Sequence, residues 1–191
     1  EALPYRRAFG SSDYLFAIND RREFGQYVGH HGLVMENGLP ISAEFTVNRA
    51  AGFVYDLLEH RQVAVESDGS VLRIPVELAP GGGGLWLITE NAIDSLRVDV
   101  PAEARPGQDL PVSITVADET GAAVNAVVPV EIELRDPDGR RGEFSGYYGA
   151  LDGRLSVTFT PAANDTPGMW TVEARELASG IAARTYFRLA E

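Results

Sequence analysis

Five stretches in the second half of the chain alternate polar and apolar residues at period two, and this pattern constrains the fold most. They are Ser95-Leu96-Arg97-Val98-Asp99-Val100, Pro111-Val112-Ser113-Ile114-Thr115-Val116, Val130-Glu131-Ile132-Glu133-Leu134, Leu155-Ser156-Val157-Thr158-Phe159-Thr160 and Trp170-Thr171-Val172-Glu173-Ala174. A sixth, Arg184–Leu189, ends the chain in β-rich composition. Successive strand side chains point to opposite faces, so each run has one buried and one wet face, as in antiparallel sheets. Between the runs lie Arg105-Pro106-Gly107, Glu119-Thr120-Gly121, Asp136-Pro137-Asp138-Gly139, Leu151-Asp152-Gly153 and Thr166-Pro167-Gly168. Proline presets φ and glycine tolerates positive φ, so each of these reverses the chain. Roughly seven short strands separated by such turns predict a two-sheet sandwich.

The first half is less regular but still β-like. Tyr14–Asn19, Ile41–Val47, Gly52–Leu57, Val71–Leu78 and Leu85–Ile88 read as strands, with Ser67-Asp68-Gly69-Ser70 as a hairpin turn. Pro75 lacks a backbone donor, which points to an edge strand or a bulge. A helix over Ala50–His60 is the weaker alternative, because Gly52 and β-prone residues interrupt it. The expected organisation is all-β: an N-terminal extension over residues 1–12, a β-sandwich over 13–91 and an immunoglobulin-like β-sandwich over 92–191. The boundary falls near Thr89–Ile93, across a short junction. The first residue is Glu1 rather than Met, so the chain is expected to be processed or to belong to a longer polypeptide.

Composition excludes several chemistries. The chain of 191 residues has no cysteine, and its sixteen basic residues are all arginine. That removes disulfides, thiolate nucleophiles and zinc–thiolate sites, and with lysine absent also Walker-type phosphate loops and Schiff-base catalysis. Twenty-eight acids against sixteen arginines leave a net charge of −12, which argues against a phosphate backbone as partner. The pairs Arg6-Arg7, Arg21-Arg22 and Arg140-Arg141 read as solvated surface. No apolar run reaches the length of a membrane span.

Residues 94–191 carry Arg105-Pro106-Gly107-Gln108, Asp118-Glu119-Thr120-Gly121-Ala122-Ala123-Val124 and Val130-Glu131-Ile132-Glu133-Leu134-Arg135-Asp136-Pro137-Asp138-Gly139, then Gly153-Arg154 and Pro167-Gly168-Met169-Trp170-Thr171-Val172. In these features the segment resembles the macroglobulin-like and invasin-like immunoglobulin-fold domains of exported bacterial proteins. The macroglobulin thioester requires a cysteine, so protease trapping does not carry over. Residues 13–90, through Phe53-Val54-Tyr55-Asp56-Leu57-Leu58, Asp68-Gly69, Arg73–Gly81 and Leu85-Trp86-Leu87-Ile88, are similar to the β-sandwich regions that follow the catalytic barrel in large bacterial glycoside-hydrolase-like proteins. Both resemblances imply scaffold, placed outside the cell or in the periplasm.

Few residues invite a specific chemistry. His30 and His31, between Gly29 and Gly32, would face opposite ways on a strand and cannot readily chelate one metal; an exposed hairpin tip is the plainer reading, and His60 is the third histidine. Asp136, Asp138 and Asp152 could offer oxygen ligands to calcium, but EF-hand spacing is missing and the turns already explain them. No Gly-x-Ser-x-Gly elbow occurs, and no carboxylate pair marks a hydrolase. Trp86 and Trp170 have apolar neighbours at i±2 and read as core rather than sugar platforms. Tyr147 and Tyr148 must face opposite ways, so one is exposed.

These readings converge on a non-catalytic structural or interaction module of an exported bacterial protein, needing no cofactor. Its expected partners are neighbouring domains or identical subunits, met through free sheet edges that could accept a strand. Tyr5, Phe9, Tyr147 and Tyr148 are the candidate contact residues. The alternative is a carbohydrate-binding accessory region of a secreted glycoside hydrolase, with polysaccharide as partner, which requires exposed coplanar aromatics.

Overall fold

A computed structural model describes residues 1–25, 28–29, 32–33 and 36–191, and these residues contain strands, turns and bends but no helix. The chain divides into two compact units, Glu1–Glu90 and Asn91–Glu191.

The first unit holds β1 (Ala2–Phe9), β2 (Ser12–Asn19), β3 (Arg22–Phe24), β4 (Val28–Gly29), β5 (Gly32–Leu33) and β6 (Glu36–Gly38). It continues with β7 (Ile41–Val47), β8 (Phe53–Asp56), β9 (Arg61–Val63), β10 (Glu66–Ser67), β11 (Leu72–Leu78) and β12 (Gly83–Thr89). A five-stranded sheet runs β1-β2-β12-β8-β9 and a three-stranded sheet runs β10-β11-β7, while β3–β6 and β4–β5 form short two-stranded ladders. The core sits between the two larger sheets, with Leu15 and Ala17 from β2, Trp86 and Ile88 from β12 and Val54 from β8 on one side. Leu72, Ile74, Val76 and Leu78 of β11 and Val47 of β7 supply the other. The indole of Trp86 meets Phe45 edge-on at 6.1 Å between ring centroids. It also lies over Gly84, where a Cβ would come within 2.1 Å of the ring. The glycine is therefore required for the packing.

One expectation changes here and two readings are sharpened. Residues 1–12 do not extend free of the sandwich, because Ala2–Phe9 pairs with β2 over its whole length. Residues 53–56 form a strand within the expected Gly52–Leu57, and turn residues follow at 57–60, so the weaker helical alternative falls away; pairing of Val54 and Tyr55 to Ile88 and Leu87 holds the strand. Pro75 lies in β11, which has a neighbour on each side. The β10 neighbour reaches only Leu72 and Arg73, so beyond it one edge of β11 is open and the missing N–H is tolerated.

The second unit comprises β13 (Ile93–Asp99), β14 (Glu103–Ala104), β15 (Leu110–Asp118), β16 (Val128–Arg135), β17 (Gly146–Ala150), β18 (Arg154–Phe159), β19 (Gly168–Glu176) and β20 (Ala182–Leu189). Sheets β13-β15-β18 and β14-β20-β19-β16-β17 face each other. All pairings are antiparallel except β14 with β20, which is parallel. Alternation delivers the core as expected: Val112, Ile114 and Val116 from β15 and Val128, Val130, Ile132 and Leu134 from β16 are buried. Trp170 stacks on Phe187 at 5.9 Å, and Phe144 on Phe159 at 5.1 Å.

Acidic side chains lock the turns of both units. Asp68 accepts the backbone N–H groups of Ser70 and Val71 and the Ser70 hydroxyl. Asp118 does the same for Thr120 and Ala122. The fully buried Glu176 accepts the N–H groups of Ala178, Ser179 and Ile181. These three acids therefore serve turn geometry.

Candidate interaction surface

The hairpin β1–β2 presents the most unusual surface in the molecule. It closes through Gly10-Ser11, with Phe9 opposite Ser12 and Gly10 at φ 55°, the positive value that the first position of a II′ turn needs. The N–H of Asp20 donates to the carbonyl of Glu1 at 2.9 Å. In an antiparallel ladder alternate residues bond to the neighbour, so odd residues of β1 bond to β2 and even residues face the free edge.

The same parity sorts the side chains. Leu15 and Ala17 point into the core, and their partners Arg6 and Pro4 share that side. Leu3 opposite Ile18, Tyr5 opposite Phe16 and Arg7 opposite Tyr14 lie on the outer side. Leu3 is 50% exposed, Tyr5 65% and Ile18 59%, and Phe16 is exposed with them. Tyr5 and Phe16 meet at 6.3 Å with their rings tilted by 53°. Four large apolar side chains thus form a contiguous wet patch. Single exposed apolar residues are ordinary on a protein surface, whereas a contiguous patch marks a contact site.

The hairpin is anchored from its other face. Asp13 is buried and binds Arg6 at 2.9 Å and Arg49 at 3.2 Å. Asn19, also buried, donates to the carbonyls of Leu39 and Ala79 and accepts the N–H of Arg21. Strand β1 itself buries almost nothing, being exposed from Leu3 to Ala8. The edge expected to receive a neighbouring strand carries Pro4 in the outward-bonding phase. Its ring stands where an N–H would donate, and edge prolines of this kind block strand addition. The apolar face, rather than the backbone edge, is the usable surface.

The remaining candidates fall elsewhere. Phe9 lies half-buried at the hairpin turn. In the second unit Tyr147 is exposed opposite Glu131, while Tyr148 is half-buried and donates its hydroxyl to the Phe144 carbonyl. Trp86 and Trp170 are 4% and 7% exposed, and the Trp170 indole N–H donates to the Thr166 carbonyl. Neither can stack on a sugar, so the two tryptophans give the carbohydrate reading no support. Asp136 accepts the N–H groups of Asp138 and Arg140, Asp138 pairs with Arg140, and Asp152 accepts the Asn125 amide in a different turn. Among the described residues no three His, Asp or Glu side chains converge on a point that could hold an ion. His30 and His31 lie outside the described residues.

Concavities are present in both units. One in the second unit is lined by Leu134, Phe144, Phe159 and Trp170 and holds only about 20 Å³, about one water. A larger groove of about 290 Å³ in the first unit is lined by Asp56, Glu59, Arg61, Glu77 and Trp86. Asp56 in it accepts the N–H groups of Leu58 and Glu59, and Glu77 accepts the Ser42 hydroxyl, so these acids are held by local turn and cross-strand bonds.

No protein-family model matches the chain, and no curated protein matches it. Among solved structures, the Yersinia pseudotuberculosis adhesin InvE aligns over 100% of this chain and 59% of its own, at 13% identity and TM-score 0.41. Escherichia coli alpha-2-macroglobulin aligns over 99% of this chain and 16% of its own, at 12% identity and TM-score 0.38. A putative membrane-anchored protein of Corynebacterium diphtheriae aligns over 99% and 53%, at 14% identity and TM-score 0.38. This chain therefore spans less than two thirds of each. At such values the likeness carries nothing about activity, and the functional reading rests on the geometry.

Proposed function

We propose that the chain is a non-catalytic, exported interaction module of two β-sandwiches, docking protein through the outer face of β1–β2. The observation that carries this reading is the exposed patch of Leu3, Tyr5, Phe16 and Ile18, which spans β1 and β2 although β1 supplies none of the buried residues of the core. An eight-residue strand that buries so little gains little from packing within its own unit. Its outward apolar side chains are accounted for if a partner covers them. The tilt between Tyr5 and Phe16 and the burial of both tryptophans disfavour the carbohydrate-binding alternative, which needs flat, exposed rings. Affinity electrophoresis through gels carrying soluble β-glucan, xylan or galactomannan separates the two. The docking reading expects unchanged mobility. Retardation that disappears in Tyr5→Ser would overturn it in favour of the accessory-module reading.

A further inference from the structure

The outer face of β1–β2 has a charge order that is complementary to itself. Along β1 the outward residues run Glu1, Leu3, Tyr5, Arg7, and along β2 they run Asp20, Ile18, Phe16, Tyr14, each opposite its partner in the register. One end is acidic, the middle apolar and the other end basic. Arg7 has no ion-pair partner among the described residues. Residues 1–24 hold four arginines and four acids, so the whole net charge of −12 lies in the rest of the chain. The patch is therefore spared the like-charge repulsion that keeps such acidic molecules apart.

We infer that this face is an isologous interface for a second copy of the chain. The inference rests on the docking reading above and names its partner. A two-fold axis lying in the interface, perpendicular to the strands and level with the Pro4–Ala17 pair, reverses the strand direction. It sets β1 over β1 and β2 over β2. Glu1 then meets Arg7 of the second copy, Leu3 meets Tyr5, Phe16 meets Ile18 and Tyr14 meets Asp20, and each contact occurs twice, as two-fold symmetry demands. Apolar side chains meet in the centre and opposite charges at both rims. Edge-to-edge pairing of two β1 strands lacks this fit, because Pro4 interrupts the ladder. The strip is only about 27 Å by about 10 Å, from eight residues at about 3.4 Å and two strands at about 4.8 Å. That is well below the roughly 800 Å² per partner of a standard interface, so the dimer is weak, with a dissociation constant on the order of 100 μM.

Sedimentation velocity of the full chain from about 10 μM to about 1 mM reads the association directly. The wild type is expected to shift from monomer to dimer across this range. Arg7→Glu sets two acids together at each rim and Glu1→Arg two bases, and each is expected to weaken the dimer about 5–10-fold, the size of a pair of rim charges. The combined Glu1→Arg/Arg7→Glu variant restores the pairing and is expected within about 3-fold of wild type, whereas Tyr5→Ser/Phe16→Ser remains monomeric. All of these positions are exposed, and unchanged circular-dichroism melts show that the variants fold. A wild type that stays monomeric at the highest concentration overturns the second copy as partner, and leaves the docking reading to the polysaccharide gels. A dimer that survives Tyr5→Ser/Phe16→Ser, or that the double charge swap fails to rescue, also overturns it.

Discussion

The two five-stranded sheets of this chain have similar inner faces and different outer ones. In the second unit the outward residues are mostly paired charges, with Glu133 opposite Glu173, Glu173 bound to Arg184, Arg135 bound to Glu133 and Arg141 near Glu131, and the exposed Tyr147, Met169 and Tyr186 lie among them. In the first unit the outward residues of β1 and β2 are Leu3, Tyr5, Phe16 and Ile18. Both sheets have the same number of strands, and both put alternate apolar residues into a core. The difference lies only in what the other parity carries. A charged outer face is complete in water, since surface ion pairs need no covering. An apolar one gains from a partner, and on that contrast rests the proposal that the first unit makes the contact.

The sharpest way to break the comparison is to ask which strands hold their unit together. Phe187 on β20 is buried and stacked on Trp170, so Phe187→Ala is expected to cost about 3–5 kcal/mol. Among the described residues Tyr5 on β1 makes a ring contact only with its sheet neighbour Phe16, so Tyr5→Ala is expected to cost less than about 1 kcal/mol. Denaturant unfolding followed by tryptophan fluorescence measures both, with Trp86 reporting the first unit and Trp170 the second. Equal losses would mean that β1 is a core strand and that its apolar side chains need no partner.

The next effect tests whether the inner faces are as alike as they look. Gly84→Ala drives a Cβ into the Trp86 ring, and overpacking of this kind is expected to cost about 1–3 kcal/mol. The variant should red-shift Trp86 emission while leaving the unfolding of the second unit in place. Unchanged stability would show that the ring is free to move, and that the first core is looser than the second.

How much of this was legible in the sequence follows from parity. In the second unit strict alternation placed β13, β15, β16, β18, β19 and β20 because polar residues on one parity leave a single way to face the core. In the first unit Tyr14-Leu15-Phe16-Ala17-Ile18 is apolar on both parities, which identifies a strand but not its inward side. Tyr5 and Phe9 were legible as aromatics near arginine, yet Leu3, Phe16 and Ile18 were not named as contact residues. Their exposure depends on the register with β1, a pairing that local pattern does not contain. The signal was present nonetheless: Leu3, Tyr5 and Phe9 alternate with Pro4, Arg6 and Ala8, and a strand apolar on both faces has two surfaces to cover. Strand β17 was missed because its glycines and adjacent tyrosines mask the alternation. The turn aspartates were hard to read for a different reason, since the backbone N–H groups that Asp136 binds are not visible in composition.

Salt separates the outer faces more gently. Glu173→Ala is expected to destabilise the second unit by about 0.2–1 kcal/mol at low ionic strength, and the loss should vanish near 1 M salt, where screening acts over about 3 Å. Stability of the first unit should be indifferent to any charge change at Arg7, which has no ion-pair partner among the described residues. Thermal melts of Glu173→Ala and Arg7→Ala at two salt concentrations decide this. A salt-sensitive loss in Arg7→Ala would mean that the arginine is engaged within its own unit.

Acid offers the smallest effect, and it should be common to both units because it acts on turns rather than faces. The Ser70 hydroxyl and the N–H groups of Ser70 and Val71 hold Asp68 down to about 2 from its ordinary 3.8. The Thr120 hydroxyl, with Asn91 and backbone N–H groups assisting, lowers Asp118 despite its burial. A carboxylate whose pKa is lower in the folded than the unfolded state stabilises above the unfolded value and loses that contribution as pH falls through the folded one. For Asp68 the contribution is therefore whole above about pH 4 and gone near pH 2, the span between its two pKa values. Asp68→Asn keeps an oxygen to accept the same hydrogen bonds but cannot ionise. Its melting temperature should lie slightly below that of the wild type at pH 6, and the two should converge by pH 2. Asp118→Asn should follow the same course in the second unit. Curves that stay parallel down to pH 2 would show that ionisation contributes nothing, and that the turns depend on the hydrogen bonds alone.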